Sequence, residues 1–424
     1  MRISSRLLGL ALAGSGLLAI LGLTLYPSPR QARSAALTPL YCLVCGESGG
    51  ADVFLNLLLF IPMAAGLRLL GWPWRRVVAV SAMLSLGVES LQYSVIEGRD
   101  ASISDVLTNT TGGAIGAGLA SGLRLLLAPG AAVARRLSAG GAVAWLGVLA
   151  FSAFALSPWA PDEPLRSYCT AAYPTSEIFA GTARSVTLNG VPLPCDGDIA
   201  ASEEIGESLR EGNLTLAVAA ASSDPGAGRR AIHVVRAPDA SLVVMAQHGR
   251  SVLFSAPTAA QSLRLLSPVV RLSRAFPDRE GLPVDLHAEV HGRRMRVSAA
   301  HRGERKATEL AISPAHGWTM VLPGSLVPGA PLRLAGALWL GGLLIPAAYW
   351  AGFTGRPGAA LGGVGLAGFG GLGVVPPLWG YAPAHWSEWL GVGGGIALGW
   401  ALHRFAAYLQ SRCGSPSTSA YSSS

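Results

Sequence analysis

The sequence predicts a polytopic α-helical membrane protein of about eight transmembrane helices, with an extracytoplasmic antiparallel β-sandwich inserted between the fifth and sixth. Three observations carry this. Half of the 424 residues are hydrophobic and only 13% are charged, and the mean hydropathy is +0.43, well to the apolar side of ordinary soluble chains. Several apolar runs reach the roughly 20 residues that a helix rising about 1.5 Å per residue needs to cross a core of about 30 Å. One long internal segment instead alternates apolar and polar residues with period two, the mark of half-buried strands.

The first run, 7–26, follows Arg2 and Arg6. It is longer than the usual core of a secretory signal, so residues 1–40 are read as an uncleaved N-terminal anchor helix. A signal cleaved near Arg33 to Ala36 is the competing reading. Runs at 53–70, 77–95 and 106–127 make a compact membrane core over 41–127, and a fifth helix occupies 128–157. Three C-terminal helices fill 332–408, and 409–424 is a cytoplasmic tail expected to be disordered. The glycine-rich run from Gly362 to Gly373 would be a poor helix in water, but small residues suit close helix contacts in lipid.

Alternating sides from an inside N-terminus puts Arg75, Arg76, Arg135, Arg136, Arg356, Arg404 and Arg412 in the cytoplasm, with only Arg30, Arg33 and Arg99 in short outer loops. This follows the positive-inside rule and implies a bacterial cytoplasmic (inner) membrane protein with its inserted domain on the periplasmic or extracellular side. Long translocated segments escape the rule, so the arginines between Arg166 and Arg305 do not oppose it. Lys306 is the only lysine, and the net charge of +8 is scattered arginine without a nucleic-acid-binding motif, so nucleic acid is not an expected partner.

On this topology Cys42, Cys45, Cys169 and Cys195 lie outside and Cys413 inside. An even number in the oxidising compartment predicts disulfides, Cys169 with Cys195 and Cys42 with Cys45. Four free thiols, or a redox or metal site at Cys42-x-x-Cys45, are the alternatives; no second Cys/His pair stands near the latter.

Residues 158–331 form the inserted domain. Leu214, Leu216 and Val218 alternate with Asn213, Thr215 and Ala217, and Val284, Leu286, Ala288 and Val290 alternate with Asp285, His287 and Glu289. Turn signals stand at Asp224-Pro225-Gly226, Pro238-Asp239, His248-Gly249 and His291-Gly292, after which Met295 and Val297 read as a hairpin return. The order of these runs over about 185–323 resembles the concanavalin A-like jelly roll of lectins and laminin G modules, which implies a sandwich with glycan or protein binding as an expectation. No calcium-type cluster of acids and asparagines accompanies it. His233, His248, His287, His291 and His301 are read as solvated residues at strand ends rather than as metal ligands, and neither metal nor cofactor is expected.

Charged residues inside spans are costly, so they mark the candidate site. Asp52 and Asn56 open the second span on one face, Glu89 and Gln92 share a face in the outer half of the third, and Asp105 and Asn109 open the fourth. Three helices thus each offer a carboxylate and an amide toward the same side, with Arg99 in the connecting loop as counter-charge. Asp52 and Asp105 have an ordinary explanation as acids at helix N-termini. Glu89 does not, since it stands about 12 residues, or roughly 18 Å, into its helix. A buried cluster serving only helix packing is the competing reading.

The run Asp52-Val-Phe-Leu-Asn56, Pro62, Glu89-Ser-Leu-Gln92, Arg99 and Asp105-Val-Leu-Thr-Asn109, continuing to Gly112 and Gly116, resembles the VanZ-like family of teicoplanin-resistance accessory proteins over about 41–123. Met63 departs from it, where the family more often has a small aliphatic residue. The resemblance implies a small helical membrane domain with an envelope role, and makes 41–127 a VanZ-like core. Three classes of function follow. The first is a non-enzymatic protein binding an amphipathic molecule, such as a lipid-linked precursor or lipoglycopeptide, among membrane lipids, while the sandwich takes glycan or protein. The second is an enzyme acting on a lipid head group with Glu89 as candidate catalytic acid or base. The third is a proton- or cation-coupled transporter. The first is favoured because no nucleophile–base pair accompanies the acids.

Overall fold

Short connections decide how the first helices pack. The computed structural model, which describes residues 2–26, 44, 46–96, 102–169, 177–179, 181–222 and 229–413, opens with α1 (Arg2–Thr24), α2 (Gly49–Leu69), α3 (Trp74–Ser94) and α4 (Ile103–Ser121). Gly71, at φ +97°, lets the chain turn directly after α2, and Pro73 sits extended at the head of α3. That link allows only antiparallel neighbours. Ser102 heads α4, its side chain accepting the Ser104 N–H at 3.1 Å. The N-termini of α2 and α4 and the C-terminus of α3 therefore share one end of the bundle.

Close approach depends on glycine. A Cβ at Gly112 or Gly116 of α4 would overlap the backbone of α2 at Leu57 or Ile61. Between these backbones, Ile20, Phe60, Met63 and Val88 form one buried apolar cluster, and Ala64, Val77 and Ala117 another.

The chain falls into two compact units: Met1–Leu123 with Phe154–Ile312 and Trp318–Pro328, and Arg124–Ala153 with Ser313–Gly317 and Gly329–Ser424. The first unit also holds the strands, which run β1 (Arg166–Cys169), β2 (Glu177–Ile178), β3 (Thr182–Leu188), β4 (Val191–Pro192), β5 (Gly197–Asp198), β6 (Asn213–Ala221), β7 (Arg229–Ala237), β8 (Ala240–His248), β9 (Ser251–Ser255), β10 (Val269–Leu272), β11 (Pro283–His291), β12 (Arg294–His301) and β13 (Glu304–Ala311). They build a seven-stranded sheet, ordered β10-β9-β8-β7-β1-β5 with β2 beside β7, and a six-stranded sheet, ordered β13-β12-β11-β6-β3-β4. All pairs are antiparallel except β2 with β7. The result is a sandwich-like region.

In the six-stranded sheet the period-two reading holds residue by residue. Leu216 is opposite Ala288, and Ala288 opposite Val297; Val218 is opposite Leu286, and Leu286 opposite Ala299. All of these are buried. In the other sheet β8 and β9 are buried on both faces, as near-continuous apolar runs require. The turns expected at Pro238, Gly249 and Gly292 join consecutive hairpin strands; that at 224–226 lies outside the described residues.

Cys169 and Cys195 form a disulfide with a Cα–Cα distance of 5.0 Å. Cys42 and Cys45 lie outside the described residues, as do Arg33 to Ala36. One histidine departs from its expected surface position. His233, in the interior of β7, is fully buried, with Ser167 Oγ 2.9 Å from its Nε2. A helix not expected from the sequence, Ser202–Glu211, precedes β6 and ends on Gly212 in the left-handed region.

In the second unit, Trp145 within Ala131–Ala155 donates its indole N–H to the Leu340 carbonyl at 2.9 Å, inside a core containing Leu149, Leu344, Ala348, Leu372 and Val392. The helices Ala330–Ala351 and Trp386–Cys413 meet along glycines: a Cβ at Gly341 would overlap Gly391, and one at Gly395 would overlap Gly341. The glycine-rich run forms the helix Pro357–Gly365, a π-helical turn at Leu366–Gly370 and a further helix, Gly371–Leu378. The final helix continues to Cys413, and the rest of the tail lies outside the described residues.

Among the described residues six helical segments are long and apolar enough to cross a membrane: Ser5–Thr24, Gly49–Leu69, Trp74–Ser94, Ala131–Ala155, Ala330–Ala351 and Pro357–Leu378. Large side chains such as Leu18, Leu86, Leu338 and Leu366 point outward from these helices, a surface suited to hydrocarbon rather than water. The protein is a multi-pass membrane protein. α4 dilutes its own apolarity with Asp105, Asn109 and four hydroxyl residues between 104 and 111, which are the residues of the candidate site.

Candidate functional site at the mouth of the first helical bundle

The shared end of α2, α3 and α4 gathers the polar residues that the sequence singled out. Asp52, in the first turn of α2, is exposed and accepts a hydrogen bond from Ser48 Oγ at 3.3 Å. One turn deeper, Asn56 donates its amide N–H to Asp105 Oδ1 of α4 at 2.7 Å; both residues are half-buried. Deeper still, Glu89 of α3 is only 7% exposed and accepts the Ser102 backbone N–H through Oε2 at 2.8 Å. Asn109 is buried and donates from Nδ2 to Ser85 Oγ at 2.9 Å. The cluster thus grades from an exposed mouth to a buried floor.

The structure brings Asn56 and Asp105 into contact and sets Glu89 within electrostatic reach of Asp105. Gln92 turns to the first helix, donating to the Thr24 carbonyl at 2.9 Å, so it ties α3 to α1. Arg99 lies outside the described residues.

Part of this arrangement is structural. Glu89 satisfies a backbone donor at the head of α4, a group the helix itself leaves unpaired. Asn56–Asp105 stitches α2 to α4. One group is not accounted for in this way: the Asn109 carbonyl oxygen is buried and has no hydrogen-bond partner.

Ser85 was not singled out from the sequence, although the signal was present. Ser81, Ser85, Glu89 and Gln92 are spaced to share one helix face, and all four are buried. A solvated or lipid-facing serine would not be.

A second missed feature holds the mouth in place. Glu47, just before α2, accepts from Arg236 Nη2 at 3.2 Å and Ser241 Oγ at 2.9 Å, at either side of the β7–β8 turn. Arg264 donates to the Gly46 carbonyl at 3.0 Å, and its own carbonyl accepts the Gly50 N–H at 2.9 Å. A Cβ at Gly50 would overlap the Leu263 carbonyl oxygen. The sandwich-like region is therefore fastened to the head of α2, two residues before Asp52.

Among the described residues no group of three or more His, Cys, Asp or Glu side chains is placed to hold a metal ion. No curated protein and no solved structure gives a significant match to the chain. Residues 16–127 match the family model VanZ/LLP1, a match that begins within α1, takes in α2 to α4 and so spans the whole polar cluster. The chain carries a VanZ-like domain, and the graded polar mouth belongs to it.

Proposed function

We propose that the VanZ-like domain of this envelope protein binds the polar head of an amphipathic molecule, a lipid-linked precursor or lipoglycopeptide, without transforming it. The observation that carries this reading is the gradation of the cluster: Asp52 exposed, Asn56 and Asp105 half-buried, Glu89 and Asn109 buried, all at one end of helices whose outer faces are apolar. Polar groups at such a depth are costly unless they serve a ligand or one another. A head group can enter from the mouth while its apolar part stays in lipid. The hydroxyl of Ser85 is engaged by an amide and a backbone carbonyl, not by a base, which supports binding over nucleophilic chemistry.

In the full reading the protein has about eight spans in a bacterial cytoplasmic membrane, with the sandwich outside as a concanavalin A-like module for glycan or protein. The Glu47 and Arg264 contacts support this arrangement, since they put the segment before α2 and the sandwich-like region on one side. The test is mass spectrometry of lipids and glycans retained by the gently purified full chain. Retention of a defined amphipathic species, lost in Glu89→Gln and kept in Ser90→Ala on the exposed face of α3, is expected. Identical retention by all three proteins would remove the site from consideration.

A further inference from the structure

The second compact unit, 124–153 with 313–317 and 329–424, has an extreme charge balance. It contains Arg124, Arg135, Arg136, Arg333, Arg356, Arg404 and Arg412 against a single acid, Glu388. Helix contacts sort these charges by end. The helix Ala330–Ala351 runs antiparallel to Ala131–Ala155, with Gly141 against Ala347 and Trp145 reaching the Leu340 carbonyl. It runs parallel to Trp386–Cys413, with Gly341 against Gly391, Gly399 against Ile345 and Gly352 against His403. The start of Ala131–Ala155, the ends of the other two helices and the link to Pro357 therefore share one end.

Arg135, Arg136, Arg356 and Arg404 stand at that end, all exposed. Arg124, also exposed, joins them, because Trp350 and Tyr349 donate to the Leu126 and Leu127 carbonyls just after it. Glu388 lies in the first turn of its helix, at the opposite end, where its Oε1 accepts the Ser313 hydroxyl at 2.8 Å. Among the described side chains of this unit the shared end thus carries five cations and no acid, and residues 414–424 contain no acid either.

Membrane insertion does not require this. Arginines bias topology, but acids contribute little to it, so a topological role explains the cations and leaves the missing acids unexplained. Like charges at one end repel one another, and counter-charge from the surroundings relieves that repulsion. The surroundings of this end are lipid. Leu125, Leu127, Leu402 and Phe405, each within three residues of Arg124 or Arg404, are exposed, so apolar surface adjoins guanidinium. A partner that meets both has an acyl chain and an anion, and the planar fork of a guanidinium suits a phosphate.

One corner of this end is the best formed. Gly352 lies so close to the His403 ring that a Cβ would overlap it, and Phe353 stands edge-on to the same ring at 4.4 Å. Arg356 follows Gly352 by four residues and Arg404 is next to His403, so two exposed arginines flank one packed corner.

We propose that this corner holds the phosphate of an anionic phospholipid, with Arg356 and Arg404 as its contacts. A zwitterionic lipid brings its own cation into a field that is already positive, so it is the poorer occupant. Inorganic phosphate shares the chemistry of the head group but gains nothing from Leu402 and Phe405. The site is independent of the mouth of the VanZ-like domain and of whatever that mouth receives.

Native mass spectrometry of the full chain tests this, after exchange into micelles with equal amounts of dioleoylphosphatidylglycerol and dioleoylphosphatidylcholine, which share their acyl chains. Retention of the glycerol lipid about tenfold above the choline lipid is expected. Arg356→Gln combined with Arg404→Gln should lower that preference at least about threefold, other arginines of the chain supplying the remainder. Both side chains are exposed, so the double variant should keep the thermal midpoint of the unaltered protein. Arg333→Gln, at the other end of Ala330–Ala351, should leave the preference unchanged.

Equal retention of the two lipids by the unaltered protein would overturn the proposal, and that comparison needs no variant. An undiminished preference in the double variant, or an equal fall in Arg333→Gln, would remove the corner as the site. Displacement of the retained glycerol lipid by millimolar inorganic phosphate would overturn the lipid and assign the corner to a soluble anion.

Discussion

At the scale of the residue, the structural task of Glu89 and the chemical one proposed for it can be separated. Its Oε2 accepts the Ser102 N–H at the head of α4, a task that the carbonyl oxygen of a glutamine performs equally well. Glu89→Gln is therefore expected to keep the thermal stability of the protein in detergent, whereas Glu89→Leu leaves a buried donor unpaired and should cost about 1–3 kcal/mol. Similar melting of both variants would show that the bond to Ser102 does not hold α4. Histidines give a second test at this scale. Burial lowers His233 and His316 from the ordinary 6.5 to about 4, so both are neutral in the folded protein at pH 7. The unfolded chain binds protons there first, so stability is complete above about pH 6.5 and is lost as pH falls toward 4, by about 3 kcal/mol for each residue. Denaturation midpoints between pH 7.5 and 4 should show this loss, reduced in His233→Gln and unchanged in His291→Gln, whose side chain is exposed. A flat profile would mean that protonation of these rings does not limit stability. Asp52, Asn56, Glu89, Asp105 and Asn109 stand out in the sequence because charged and amide side chains within an apolar run are conspicuous. Ser85 was not, because a serine in a membrane helix is inconspicuous until its burial is known. His233 was misjudged because a histidine on a strand has no pattern of its own to distinguish core from rim.

At the scale of the element, period and contact tell different things. β6 and β11 were legible because one face is buried and the other wet, so every second residue repeats the signal. The helix Ser202–Glu211 was overlooked although its signals are present: Glu203 and Glu204 in the first turn, Ile205 and Leu209 on one face, and Gly212 past the end. It is short and lies among strands, whose alternation dominates this stretch of sequence. The glycines of α4 show a different limit. Gly112, Gly116 and Gly118 look alike in the sequence, yet only the first two face the α2 backbone, and Gly118 faces open space. Gly112→Ala should force the helices apart and cost about 1–3 kcal/mol, with reduced yield of folded protein. Gly118→Ala should be neutral or slightly stabilising, since alanine is the better helix former. Equal thermal midpoints for the two variants would refute the close approach of α2 and α4.

At the scale of the whole molecule, the contacts at Glu47 and Arg264 relate two regions that the sequence presents as separate. The strands β7 and β8 lie more than a hundred residues after the second span, and nothing in either segment alone announces their meeting. Glu47, Arg236 and Ser241 became partners only through the fold. Because these contacts place the head of α2 and the sandwich-like region on one side, a single labelling experiment fixes the orientation of both. The arginine bias of the sequence is the ground for expecting that side to be outside. The probe sites must be chosen for exposure. Ser138, within the helix Ala131–Ala155, is buried, so a cysteine there would stay unlabelled on either topology. Ala132, at the start of the same helix, and Glu207, on the helix before β6, are both exposed. In a background of Cys42→Ser, Cys45→Ser and Cys413→Ser, with the Cys169–Cys195 bridge intact, a membrane-impermeant maleimide should label Glu207→Cys in intact spheroplasts. Ala132→Cys should react only after permeabilisation. The reverse pattern would move the mouth of the VanZ-like domain to the cytoplasm. It would then exclude a ligand from the outer leaflet, whatever the chemistry of its floor.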